Sequence, residues 1–118
     1  MRIHHIQITA PPEQEAACRE FYGTLLNLEE IPKPEPLRAR GGAWYRLDGI
    51  ELHLGIEKLS DASQSKRHVC FEVSDLNSIR IRIKEAGYEI EEATPIDGMG
   101  RFFTRDPAGN KVELAEPC

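Results

Sequence analysis

Arg105-Asp106-Pro107-Ala108-Gly109-Asn110-Lys111-Val112-Glu113-Leu114 is the stretch whose reading decides the fold of this 118-residue chain. Asp106-Pro107-Ala108-Gly109 is a turn sequence: proline presets φ for the first bend, glycine supplies a φ > 0 position, and Asp and Asn side chains bond nearby backbone. Phe102, Phe103 and Thr104 before it and Val112, Glu113 and Leu114 after it have strand character, so the unit reads as a hairpin. Glu113 is its odd member. Strand side chains alternate, so this carboxylate points away from Val112 and Leu114, either into solvent or into a polar site that needs it.

The composition limits what such a hairpin can belong to. A chain of this length, 40% hydrophobic, makes one domain with a modest core. Charged residues are 30% and the net charge is -5, which argues against nucleic acid or an anionic membrane as partner. No apolar run reaches the length of a membrane span. Met1-Arg2-Ile3-His4-His5-Ile6 has no signal-peptide character, and Cys18, Cys70 and Cys118 share no metal-like spacing. A cytoplasmic protein is expected.

Working outward from the hairpin, alternation locates the other strands. His5-Ile6-Gln7-Ile8-Thr9 places residues 2–9 in a strand with His5, Gln7 and Thr9 on one face. Pro11-Pro12 ends it, and a helix follows from Glu13, with Ala17, Phe21 and Leu25 at four-residue steps, fraying near Gly23 or Asn27. Pro32, Pro34 and Pro36 predict a loop or a broken edge strand. Asp48-Gly49 joins residues 43–47 to residues 50–54 as a second hairpin, with Glu51 and His53 on one face. Residues 57–66 read as a polar connector. His68-Val69-Cys70-Phe71-Glu72-Val73 is another alternating strand. Ser74 or Asp75 then caps a helix to about Ala86, stopped by Gly87. Ile79-Arg80-Ile81-Arg82-Ile83 alternates like a strand, but the stop signals at both ends favour helix. Tyr88 to Glu92 is a short strand.

Side by side, the two halves repeat one order: strand, helix, weak strand, hairpin. His5-Ile6-Gln7-Ile8-Thr9 matches His68-Val69-Cys70-Phe71-Glu72, and Ile50-Glu51-Leu52 matches Val112-Glu113-Leu114. The expected fold class is α+β: two βαβββ modules, one over about residues 1–58 and one over about 67–118. Each half supplies a histidine opening its first strand and a glutamate near the start of its last, both opposite the apolar face. His5, Glu51, His68 and Glu113 are therefore candidate metal ligands, since two imidazoles and two carboxylates suit a borderline divalent ion such as Zn, Ni, Co, Fe or Mn. His53, on the face of Glu51, is the competing ligand.

These same residues resemble the vicinal oxygen chelate superfamily, which includes glyoxalase I, fosfomycin-resistance proteins, bleomycin-binding proteins and extradiol dioxygenases. The resemblance rests on His5-Ile6-Gln7-Ile8, on Phe21-Tyr22 followed by Leu26-Asn27-Leu28, on His68-Val69, and on Asp106 through Leu114. It implies sheets curled into a cup around the ion, and a homodimer. Glu51 leans the resemblance towards glyoxalase I, whose first module supplies such a glutamate. A lyase or isomerase acting on a small substrate with vicinal oxygens is then implied, with Glu113, then Glu51, as the proton shuttle. The alternative is a metal-free bleomycin-type binding protein holding a flat ligand between Trp44, Tyr45 and Phe103. Extradiol dioxygenase and fosfomycin-type thiol transferase rank lower, the latter because Phe103 stands where that branch has a tyrosine. Gln7, Tyr45, His53, Cys70, Arg101 and Phe103 are expected to line the substrate pocket.

Overall fold

A computed structural model of the chain describes residues 1–58 and 61–118. It divides into two compact units, Met1–Asp61 and Ala62–Cys118. The first contains β1 (His5–Ala10), α1 (Glu15–Glu20), β2 (Glu29–Ile31), α2 (Glu35–Arg38), β3 (Ala43–Arg46) and β4 (Glu51–Ile56). The second contains β5 (His68–Glu72), α3 (Leu76–Glu85), β6 (Glu91–Glu92), β7 (Gly100–Arg105) and β8 (Lys111–Glu116). The sheets have the same topology, β1-β4-β3-β2 and β5-β8-β7-β6. In each, the outer histidine-bearing strand runs parallel to the last strand, and the other pairings are antiparallel. The fold is α+β with two such modules, as the repeat predicts.

In the first unit Pro12 opens a short 3-10 turn that leads into α1, and a π turn over Phe21–Leu25 continues it. Its inward residues are Cys18, Phe21 and Tyr22, all essentially unexposed, whereas Ala17 is exposed. The stripe predicted through Ala17, Phe21 and Leu25 is thus rotated. Cys18 acts as a small apolar residue and completes an i, i+3, i+4 face. Asn27, at φ 58, then turns the chain into β2. The proline-rich stretch forms α2, with Pro36 tolerated in its first turn. Ala10, Ala43, Tyr45, Leu52 and Leu54 form the apolar side of the sheet. The Tyr45 hydroxyl donates to the Arg19 carbonyl in α1 at 3.4 Å, so this side faces the helix.

In the second unit Asp75 caps α3 by accepting from the Ser78 amide at 3.0 Å. Gly87, at φ 94, ends the helix. Ile79 and Ile83 are buried while Ile81 is 47% exposed, so the alternating stretch is helical. Full burial of a side chain such as Ile83 stabilises by about 1.5–3 kcal/mol. Arg80 bridges α3 to the sheet through paired bonds to Glu92 at 3.0 and 3.1 Å. The strand expected over Tyr88 to Glu92 shrinks to Glu91–Glu92. Upstream, the Glu89 carbonyl is held by the Thr104 hydroxyl at 2.8 Å instead of a ladder bond.

The β7–β8 turn is built around Asp106, which is 4% exposed. Its Oδ1 accepts from the Ala108 and Asn110 amides at 2.9 and 3.0 Å, and Oδ2 accepts from the Asn110 side-chain amide at 2.9 Å. This turn fixes the register in which Phe103 lies opposite Glu113.

Candidate functional site

Glu113 does not face water. It is 6% exposed on the polar face of the second sheet. Parallel pairing puts His68 opposite Lys111 and Cys70 opposite Glu113. His68 Nε2 lies 2.9 Å from Glu113 Oε1, and His68 Nδ1 lies 2.9 Å from the Lys66 carbonyl oxygen. A carbonyl only accepts, so Nδ1 carries a proton and donates to it. In the neutral ring Nε2 is then a bare lone pair aimed at a carboxylate oxygen. Two acceptors at that distance are reconciled by a proton shared between imidazole and carboxyl or by a cation that both ligate.

Arg101 holds the other side of this carboxylate. Its Nη1 donates to Glu113 Oε2 at 3.4 Å while its Nε donates to the Thr94 carbonyl at 2.8 Å. Its guanidinium carbon is 5.4 Å from the centroid of Phe103, and the Lys111 ammonium is 4.1 Å from the same centroid. The His68 ring meets Phe103 edge-on at 5.3 Å. Partial burial pushes the Cys70 thiol up to about 11, and the negative charge of Glu113 and a hydrogen bond to it act in the same direction.

The first unit has a counterpart built differently. His5 pairs with Glu51 and Gln7 with His53. His53 Nε2 is 2.9 Å from Glu51 Oε1. That bond, followed by the charges of His4, His53 and His5, holds the Glu51 carboxyl below the usual carboxylate range. The His53 ring is sandwiched between Trp44, stacked at 3.9 Å and 2°, and His5, stacked at 4.1 Å and 12°. His53 is only 4% exposed. The strand begins only at His5, and His4 before it brings its Nδ1 within 3.0 Å of His5 Nδ1. Gln7 lies across Gly55, where a Cβ would come within 2.7 Å of its Nε2.

Most of the predicted polar residues therefore gather in two groups: His5, Gln7, Glu51 and His53 in one unit, His68, Cys70, Arg101, Phe103 and Glu113 in the other. Tyr45 is the exception. It pairs with Leu52, is fully buried on the helix-facing side and lines no polar face. The physical reason is parity. Ladder partners share a face, and Trp44 is the partner of His53. The Asp48-Gly49 turn carried this signal, since a two-residue hairpin loop sets Arg46 against Glu51 and Trp44 against His53. Strand register also relates the units differently from the sequence match. Counting from the histidine that opens each sheet, the residue opposite its second neighbour is His53 in one unit and Glu113 in the other.

Among the described residues no three or more His, Cys, Asp or Glu side chains form a group able to hold a metal ion. Also among them, no helix is long and apolar enough to cross a membrane.

A family model, the Glyoxalase/Bleomycin resistance protein/Dioxygenase superfamily, matches residues 2–114. The chain belongs to this superfamily. Among solved structures it is similar to a glyoxalase family protein from Bacillus anthracis, with 34% identity and TM-score 0.88, covering 100% of this chain and 96% of that one. It shares its fold with a lactoylglutathione lyase from Agrobacterium tumefaciens (22% identity, TM-score 0.73, 98% and 92% covered). It also shares it with an antibiotic binding protein from Streptomyces sp. CB03234 (13% identity, TM-score 0.73, 100% and 97% covered). Comparison with curated protein sequences gives no match. Proteins of this fold thus include one named a lyase and one named an antibiotic binding protein.

Proposed function

We propose that the protein is a divalent-metal-dependent lyase or isomerase of the glyoxalase type, acting on a small substrate that offers two neighbouring oxygens. The observation that carries this reading is the His68–Glu113 pair. Two ligand atoms each about 2.1 Å from one ion lie about 3.0 Å apart at the right angle of an octahedral site and about 3.4 Å apart at the tetrahedral angle, so the spacing here is nearer the octahedral case. His68 Nε2 and Glu113 Oε1 are 2.9 Å apart, with the imidazole tautomer already fixed by the Lys66 carbonyl. A histidine whose other nitrogen donates to a backbone carbonyl is oriented as metal-ligating histidines commonly are. The donor chemistry therefore fits a borderline ion: Zn, Ni, Co, Fe or Mn.

The proposed ligands are His5, Glu51, His68 and Glu113, with His53 competing with Glu51. A bound divalent ion would act as a Lewis acid on the substrate's oxygens. Glu113 then serves as the general base that takes a proton from the carbon beside them and returns it to the neighbouring carbon, with Glu51 the second choice for this role. Arg101 positions Glu113 by holding Oε2. Glu113 is itself only 6% exposed, which limits the access of bulk water to its carboxylate. We further propose a homodimer in the cytoplasm, the latter supported by three free cysteines.

Elemental analysis of protein purified without added metal tests the reading. Near-stoichiometric divalent metal is expected, lost in His68→Ala and Glu113→Ala. Full retention in both variants, or no uptake by the parent protein after incubation with zinc or nickel, overturns it. Absence of metal together with thermal stabilisation by flat aromatic ligands would favour the sequestering alternative.

A further inference from the structure

A cavity of about 340 Å³ opens in the second unit, walled by Phe103, Arg105 and Lys111 on the sheet and by Tyr88, Glu89 and Glu91 on the segment that follows α3. None of these residues is needed for the His68–Glu113 pair, yet the cavity adjoins it. Lys111 lies directly opposite His68, and Phe103 directly opposite Glu113. Neighbouring strands are about 4.8 Å apart, so the cavity begins one strand spacing from the pair. Phe103 is the shared wall: it meets the His68 ring edge-on and carries the Lys111 ammonium over its face.

The electrostatics of this wall are lopsided. Among the described residues Lys111 has no carboxylate within ion-pair distance. Its ammonium rests on the Phe103 ring, which offsets only part of the cost of taking it out of water. Arg105 donates to the carbonyls of Ala62, Gly109 and Ser65 at 3.2, 2.8 and 3.2 Å. These bonds orient the guanidinium and leave its charge uncancelled. Both cations are half-buried, whereas Glu89 and Glu91 are exposed. Water and salt screen the two carboxylates more strongly than the two cations. The inner wall is therefore cationic and the rim anionic.

We propose that this cavity receives a carboxylate at the far end of the substrate, three or four bonds from the oxygens that engage the site at His68 and Glu113. Lys111 is the ion-pairing residue, and Phe103 covers the intervening carbons. This rests on the proposed function for the location of the reacting end, and it narrows the substrate class to small anions bearing a remote carboxylate. The class is a short molecule with a hydroxy-carbonyl or dicarbonyl group at the reacting end and one carboxylate at the other.

The test uses the full-length protein, ¹⁵N-labelled, titrated with glutarate and separately with its neutral diamide, glutaramide. Glutarate is expected to move the amide signals of residues 87–91, 103–105 and 111 saturably, and glutaramide to leave them in place. Lys111→Gln is expected to weaken glutarate at least tenfold, and Lys111→Arg to restore most of the loss. Equal binding of the diamide, undiminished binding to Lys111→Gln, or shifts confined to other residues overturn the proposal. Zinc content of the same sample is measured separately. Glutarate binding without zinc uptake would refute the metal reading alone, and zinc uptake without glutarate binding would refute the cavity alone.

Discussion

Gly42 immediately precedes β3 and sits at φ 82. A Cβ built there would fall well inside contact distance of the Leu54 carbonyl oxygen, and 3.1 Å from its carbon. The obstacle is backbone, so no side chain can move aside. The Gly42 amide also donates to Glu15 Oε2 at 3.0 Å, tying α1 to the entrance of β3. Gly49 offers the matched control: φ 77, with nothing within 4 Å of its Cβ. Gly49→Ala should cost only the left-handed penalty of about 1–2 kcal/mol. Gly42→Ala carries the same penalty, adds overpacking of about 1–3 kcal/mol and disturbs a hydrogen bond to a charged group worth about 1.5–3 kcal/mol. Its loss should therefore exceed that of Gly49→Ala by at least about 2 kcal/mol. Trp44 is the only tryptophan of the chain and stacks on His53 two residues beyond Gly42, so urea unfolding followed by its emission reports this corner directly. Gly42→Ala should also change the native-state emission, because the Ala43–Leu54 rung that sets the stack is displaced. Equal losses in the two variants, with unchanged native emission, would refute the reasoning.

Asp106→Ala removes three bonds accepted by one buried carboxylate, so a loss of about 3 kcal/mol is expected in chemical denaturation, with Asp106→Asn recovering part of it. A loss below about 0.5 kcal/mol would mean that the turn forms without its side-chain bonds. Burial raises the Tyr45 phenol from 10.0 to about 12, with the charge of Glu30 adding to the effect. The neutral phenol is the form favoured by the fold, so its stabilising contribution is complete below about pH 10 and is lost as pH rises through about 12. Tyr45→Phe should flatten the fall in stability across that alkaline window, and an unchanged slope would count against the assignment.

Much of the fold was legible because each strand announces itself by alternation and each hairpin by its turn. Asp75 and Gly87 settle Ile79–Ile83 as helix, against the local pattern, because capping and termination act on the whole element. The short β6 was not legible. Tyr88–Glu92 reads as strand, but whether its carbonyls meet a ladder or the Thr104 hydroxyl depends on residues far along the chain. Of the candidate site, residue types and faces were legible: His5, Glu51, His68 and Glu113 all lie opposite the apolar side. Contacts between rings and charges were not. The Trp44–His53–His5 stack and the clamp of Arg101 on Glu113 follow from strand register and side-chain rotamers, and periodicity fixes neither. Tyr45 shows the sharpest form of the problem, since one residue of parity separates the core from the site face.

The parallel pairing of β5 with β8 also orders events as the chain folds. The β7–β8 hairpin closes across a turn of a few residues, whereas His68 and Glu113 are 45 residues apart in the chain. Closing the longer loop costs more entropy before any contact rewards it, so such pairings form late. The two donor groups are thus kept apart until helix, hairpin and edge strand have found their places. A chain in which they meet is one whose second unit has finished folding.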